Sequence, residues 1–251
     1  MSRSAYRTAA TWLLPAAIAG LLGGCGGSGT SVAGVTSSTS GPITKAQAQV
    51  YAQVVNLRAA DMPGFTAIGR EAEAPAPGPS ALQYSRCRGG INPARRIAGI
   101  SSAEFSAGSA FHAELMKSTV EVWPTPALVT FNSTTAHSPR GRACLLRYLH
   151  AAHEHINRAR KGRMQIGPFK LSIVPNPLPG VSHSFLTSLN ETRLLRSGAV
   201  RVHVYRDIFG FISGAAEIEL EAVGFGHPVP TPTEEKSLLL LVARARANAI
   251  H

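Results

Sequence analysis

The chain reads as an α+β domain, a twisted antiparallel sheet flanked by helices, and three observations predict this. Four segments after Gly162, at 163–174, 182–194, 199–211 and 215–225, carry strand-like patterning, clearest in the alternation of Val200-Arg201-Val202-His203-Val204 and Glu217-Ile218-Glu219-Leu220-Glu221-Ala222. The links at 195–198 and 213–214 are too short for parallel crossovers, so these strands are antiparallel neighbours. Helix signals stand on both sides of the block, and strands in one run with helices at its edges form an α+β layer architecture.

Taken in order, Thr44 and Gln47 are spaced as a capping box, and Val50, Val54 and Leu57 recur at helical spacing, which predicts a helix over 45–60, ending before Met62-Pro63-Gly64. Residues 71–80 read as a Pro/Ala-rich loop. Leu82 to Cys87 and Arg95 to Ile100 are short strand candidates. Residues 115–123 are a better one, with Met116, Val120 and Val122 on one parity and Pro124 as the stop. A short helix follows at 125–136. Ser138-Pro139 then opens the longest helix, 139 to about 160, with Leu145, Leu149, Ala152 and Ile156 on one stripe and Arg140, Arg147 and Arg158 opposite. Each later strand is expected to have one buried and one wet face. The basic residues of 199–206 and the acidic ones of 217–221 are plausible cross-strand partners. Thr231 as N-cap with Pro232 and Glu234 starts a C-terminal helix, whose Leu238 to Val242 run is apolar nearly all round and calls for burial.

Composition narrows the class. Of 251 residues, 44% are hydrophobic and 16% charged, which excludes a disordered polyelectrolyte. Three cysteines exclude a disulfide-dense scaffold. Residues 1–24 read as a targeting segment: Arg3 and Arg7 precede an uncharged run from Thr8 to Leu22. That run is short for a membrane span and ends in Leu22-Gly23-Gly24-Cys25. This resembles the lipobox of bacterial lipoproteins, which implies that Cys25 becomes the first mature residue and carries the lipid. Residues 25–42 form a flexible Gly/Ser/Thr linker, with an r.m.s. span of roughly 20–25 Å, ahead of a single domain at 43–251. The expected location is the outer face of the cell membrane.

With Cys25 lipidated, Cys87 and Cys144 remain as an even pair in an oxidising compartment, candidates for one disulfide. Two buried free thiols are the alternative.

No motif announces a reaction. His150, His153 and Glu154 share a helix flank, but the pattern is neither H-E-x-x-H nor H-x-x-E-H, and boundary histidines of an amphipathic helix explain it without a metal. Gly180-Val181-Ser182-His183-Ser184 and Gly99-Ile100-Ser101-Ser102-Ala103 both lack the closing glycine of a nucleophile elbow. Asp207, Glu217 and Glu219 are formally available as carboxylates, yet surface strands routinely carry such charges. Phe209, Phe211, Phe225 and Trp123 suit a core better than a ligand cavity.

The formal net charge is +11, falling to +9 when Arg3 and Arg7 leave with the targeting segment. The excess concentrates at Arg140, Arg142, Arg147, Arg158, Arg160, Lys161, Arg163 and Lys170, with a second group at Arg86, Arg88, Arg95 and Arg96. Nucleic acid would use such charge, but the export signal and the lack of an aromatic platform argue against it. Anionic envelope surfaces are the better partner on location.

Three stretches carry a family resemblance: Ala59-Ala60-Asp61-Met62-Pro63-Gly64, Val120-Glu121-Val122-Trp123-Pro124 and Val204-Tyr205-Arg206-Asp207-Ile208-Phe209-Gly210-Phe211. Through them residues 44–248 resemble uncharacterised actinobacterial lipoproteins. More distantly, the order of elements is similar to the extracytoplasmic sensor domains of mycobacterial serine/threonine kinases. The resemblance implies an antiparallel sheet flanked by helices with a cleft, and a disulfide between Cys87 and Cys144, where the kinase sensors carry two. The expectation is therefore a membrane-anchored binding or sensor-like module for an envelope lipid or glycan, with no enzyme activity and no cofactor. A structural protein held on anionic surfaces and an unrecognised hydrolase are the alternatives.

Overall fold

The computed structural model describes residues 42–250 apart from 75, 110, 161–163 and 196–199. Residues 1–24 and Cys25, with most of the linker, lie outside the described residues. Five helices and nine strands are present among the described residues: α1 Lys45–Val55, α2 Pro79–Arg88, α3 Pro126–His137, α4 Pro139–Ala159, α5 Thr231–Ala247, and β1 Thr66–Ile68, β2 Ala72–Glu73, β3 Ala98–Ser101, β4 Glu104–Ser109, β5 His112–Val122, β6 Met164–Pro175, β7 Ser182–Leu195, β8 Val200–Ser213, β9 Ala216–Phe225. All strand pairs are antiparallel in one open sheet, ordered β1-β4-β5-β9-β8-β7-β6, with β2 and β3 extending the β5 side. The α+β expectation holds.

The sheet is covered on both sides, which corrects the expectation of one wet face. On the first face, Met116, Val120 and Val122 of β5, Ile218 and Leu220 of β9 and Phe209 and Phe211 of β8 pack against Tyr51, Ala52 and Val55 of α1 and Leu238, Leu241 and Val242 of α5. Burying a side chain of this size stabilises by about 1.5–3 kcal/mol, so this is the main core. The α5 run is not buried all round, since Leu239 is 55% exposed. The capping box of α1 is present, with Thr44 N donating to Gln47 Oε1 (2.9 Å) and Gln47 N to Thr44 Oγ1 (3.2 Å). The helix stops at Val55 because Asn56 turns inward, donating to Ile100 O (3.0 Å) and accepting from Ser118 Oγ (2.8 Å). Asp61, in the 3₁₀ turn beyond, accepts two bonds from Arg244 of α5 (2.7 and 2.8 Å), clamping the two helices.

The second face lies under α3 and α4, with α2 packed on α4. Thr125 and Ser138 cap α3 and α4 by accepting from Leu128 N (3.3 Å) and Gly141 N (3.0 Å), the second as the Ser138-Pro139 pattern predicts. Cys87 of α2 and Cys144 of α4 are bonded as a disulfide, with Cα atoms 5.9 Å apart. Arg140 Nε donates to Cys87 O (2.6 Å) at the end of α2, and Arg147 Nη2 approaches Cys87 Sγ (2.9 Å).

Local departures from expectation have physical reasons. The strand expected at 82–87 is helical: Gly78 is its N-cap, Pro79 sits at N1, and Gly89 ends it at φ 75°, a left-handed conformation that suits glycine. Its buried residues are Ser85 and Arg88, so no apolar period marks it. The expected strand at 95–100 starts only at Ala98, because Asn92 Oδ1 accepts from Ala94 N (3.0 Å) and holds a 3₁₀ turn over Pro93–Arg95. The loop at 71–80 contains β2 and the start of α2, and β1 and β4 carried no pattern that singled them out. The proposed charge pairing between β8 and β9 is realised at Arg206 and Glu221 (3.2 Å). Glu219 and Glu217 instead face Gly210 and Ile212, while Arg201 and His203 lie beyond the end of β9.

Candidate functional site

Strand register sets a row of side chains across the helix-covered face. Glu217 and Glu219 of β9 project from the sheet centre, and Glu121 of β5 stands directly across from Glu217. One step outward, Ile208 of β8 is followed by Thr187 of β7 and Ile173 of β6. Carboxylates thus occupy the centre of the row and uncharged residues the outer strands. The space between this row and the helices is a cleft of about 270 Å³, reached by Tyr84 and Arg88 of α2, Asn132 and His137 of α3, Leu145 of α4, and Trp123. Its size is near the lower end of small-molecule sites, roughly 300–1,000 Å³.

The cations beside the cleft are committed elsewhere. Arg88, buried, donates from Nη1 to Asn132 O (2.7 Å) and from Nη2 to Asn132 Oδ1 (2.5 Å), with its guanidinium 5.1 Å from the Tyr84 ring centre. Asn132 Nδ2 in turn donates to Glu217 Oε2 (3.2 Å). Arg96 pairs with Glu121. Glu217 and Glu219 therefore have no cation of their own. Burial first, and then the neighbouring carboxylates, push Glu217 up to about 7 and Glu219 up to about 8. Tyr84 is also raised, mainly by burial. Burial, together with Arg142 and Arg88, lowers His137, whose Nδ1 lies 2.8 Å from Ser133 O. The Trp123 indole N–H is buried without an acceptor. Raised carboxyls and an indole N–H without an acceptor, gathered in one cleft, make this the candidate functional site.

Phe185 forms the apolar wall. Its ring lies over Gly210, where a Cβ would come within 2.1 Å of it, and 3.9 Å from the His137 ring centre. Only glycine at 210 leaves room for this ring on the neighbouring strand.

The sequence candidates are distributed unevenly. Glu217 and Glu219 meet in the cleft and are not solvent-facing strand charges, because helices cover their face. Asp207 lies on the opposite face, near Glu234 of α5, whose carboxyl burial and Asp207 together raise to about 7. Trp123 lines the cleft, whereas Phe209 and Phe211 are in the main core and Phe225 packs beside Val204 and Val223. His153 is 3.1 Å from Glu191 of β7, and the His150 and His153 rings each pack on Phe169 at 4.9 Å. Among the described residues no group of three or more His, Cys, Asp or Glu is placed to hold a metal ion. Sequence reasoning missed Tyr84, Arg88 and Asn132. The only local signal was the Gly78-Pro79 and Gly89 punctuation that frames α2.

Much of the basic excess serves the fold: Arg140 and Arg147 seal the disulfide, Arg142 Nε donates to His137 O (3.3 Å), and Arg158 pairs with Glu154 (3.6 Å). Lys161 and Arg163 lie outside the described residues. A second depression, of about 310 Å³, lies between α1 and β2. Its polar groups are exposed and satisfy one another, as in Gln49 Nε2 to Glu73 Oε1 (2.6 Å).

No protein-family model matches the chain, and no curated protein matches it. Among solved structures, the extracellular domain of PknH from Mycobacterium tuberculosis aligns over 82% of this chain and 98% of that one, with a TM-score of 0.40 and 9% identity. A likeness at that level assigns neither site nor ligand.

Proposed function

We propose that this chain is a lipid-anchored, extracytoplasmic binding module, and that the cleft between the sheet and α2–α4 is its ligand site. The observation that carries the binding reading is the set of cleft groups with bonding capacity to spare: Glu217 and Glu219 without a cation, and the Trp123 N–H without an acceptor. A ligand with hydrogen-bonding groups gives these side chains partners inside the cleft. The extracytoplasmic reading is supported by the Cys87–Cys144 disulfide, since such bonds persist in oxidising compartments. Anchoring is supported by the Leu22-Gly23-Gly24-Cys25 sequence. Among the described residues no helix is long and apolar enough to cross a membrane.

Two measurements test the parts separately. Palmitate labelling of the full chain should be lost in Cys25→Ser, and labelling that persists refutes the anchor. Native mass spectrometry of the detergent-extracted chain should show a co-purifying small molecule that is absent from a variant with the cleft filled, Thr187→Trp. Spectra free of ligand across several preparations contradict the binding reading.

One observation favours a second reading, that of a hydrolase. Glu217 and Glu219 project side by side from one strand and both stay protonatable near neutrality, as a general acid must. That reading requires turnover in a broad glycosidase and esterase screen, abolished by Glu219→Gln.

A further inference from the structure

The cleft has a polar half and an apolar half, and the inventory of each half narrows the ligand. The polar half offers acceptors and donors together: the Glu217 and Glu219 carboxyls, the Tyr84 hydroxyl beside them, and the Trp123 indole N–H, on a residue only 1% exposed. A purely cationic ligand brings donors only and leaves the Trp123 N–H orphaned. A purely anionic one brings acceptors only and meets three carboxyls. A hydroxyl group both donates and accepts, so several hydroxyls on one ligand can satisfy the whole set. The apolar half is formed by the half-buried Ile208 and Ile173 on neighbouring strands, beside the Phe185 ring packed between Gly210 and His137. At about 270 Å³ the cleft has room for one ring and not for a pair of acyl chains.

We propose that the cleft takes one neutral, polyhydroxylated ring, a single glycan residue, with its C–H face on Ile208 and Ile173 beside the edge of Phe185, and its hydroxyls on Glu217, Glu219, Tyr84 and Trp123. This rests on the reading of the cleft as a ligand site and names the ligand class for it. The groups facing Glu219 are Glu217 and Glu221 on its own strand, Glu121 of β5, and Arg88 and Tyr84 of α2. With Arg88 held by Asn132 and Glu121 held by Arg96, a neutral ligand adds no charge that the cleft would have to balance.

The test is ligand-observed saturation-transfer NMR on the full chain in detergent. The probes are methyl α-glucoside, methyl α-mannoside, methyl β-galactoside and N-acetylglucosamine, with tetramethylammonium and dihexanoyl phosphatidylglycerol as charged controls. At least one pyranoside should saturate, with transfer to its C–H protons. Glu219→Ala should weaken it by about tenfold or more, while Glu219→Gln, which keeps a donor and an acceptor without charge, should stay within about threefold. Thr187→Trp, which fills the apolar half, should abolish it, and this variant guards against misreading a folding defect at position 219. If no pyranoside saturates but tetramethylammonium or the phosphatidylglycerol does, and Thr187→Trp removes that binding, the glycan inference is wrong and the binding reading stands. Pyranoside affinity unchanged in both Glu219→Ala and Thr187→Trp places the sugar elsewhere and also overturns the inference. If no probe binds and native mass spectra remain ligand-free, both readings fall.

Discussion

Two glutamate sites on the same sheet face ionise in opposite directions. At Glu191 of β7, burial raises the carboxyl, but hydrogen bonds and charge from His153 (3.1 Å) and Arg193 (Nε 2.6 Å) outweigh it and hold the group at about 2. At Glu217 and Glu219 of β9, burial acts in the same sense and further carboxylates add to it, so the pair rises to about 7 and about 8. The difference is not depth but the destination of the nearest arginine. Arg193 points at its glutamate, whereas Arg88 donates to Asn132 and Arg96 to Glu121. One site is internally neutralised and fastens α4 to the sheet. The other is left open, which is the property expected of a binding floor.

The two sites respond to pH in opposite senses. Glu191 is lowered from 4.5, so its contribution to stability is full above that value and is lost as pH falls toward 2. Glu217 and Glu219 are raised, so their contribution is full below 4.5 and is lost as pH rises through about 7 and 8.

The largest expected effect breaks the neutralised site. Glu191→Ala removes the anion that Arg193 and His153 share and should cost roughly 3–5 kcal/mol in urea unfolding. A loss under 1 kcal/mol would mean the triad is not a structural anchor. Removing the disulfide sharpens the comparison from the other side. C87A/C144A should cost about 4 kcal/mol by loop entropy, the closed loop spanning a separation of 57 residues. Freed from α4, α2 should loosen over the cleft, so Glu219 should titrate nearer 4.5 in this variant while Glu191 stays low; unchanged titration of Glu219 would show that α2 does not provide the cover. The smallest effect comes from Glu219→Leu, which replaces an unpaired, half-buried carboxyl. It should stabilise by about 1 kcal/mol at pH 8.5 and by nothing measurable at pH 4.5. Equal effects at the two pH values would show that Glu219 is not raised.

Legibility in the sequence follows the same division. The capping box of α1, the helices α3 and α4, and the long strands β5 to β9 were readable and lie close to where the sequence signals put them. The helix that builds the cleft was not, because α2 buries Ser85 and Arg88 and presents no apolar stripe. Glu217 and Glu219 stood in view as alternating charges, and alternation normally means solvent. What covers them, the helices α2, α3 and α4, is distant in sequence, so a local pattern could not reveal it. His153 was noticed as a metal candidate, but its partner lies on β7, and only the packing of α4 on the sheet brings the two together.

The most direct test of the account is a carboxyl ¹³C NMR titration of glutamate-labelled protein, with Glu191, Glu217 and Glu219 assigned by single glutamine substitutions. The account predicts that Glu191 stays ionised down to about 2, while Glu217 and Glu219 give up their protons only near 7 and 8. Midpoints for Glu217 and Glu219 close to 4.5, like those of exposed glutamates, would contradict it.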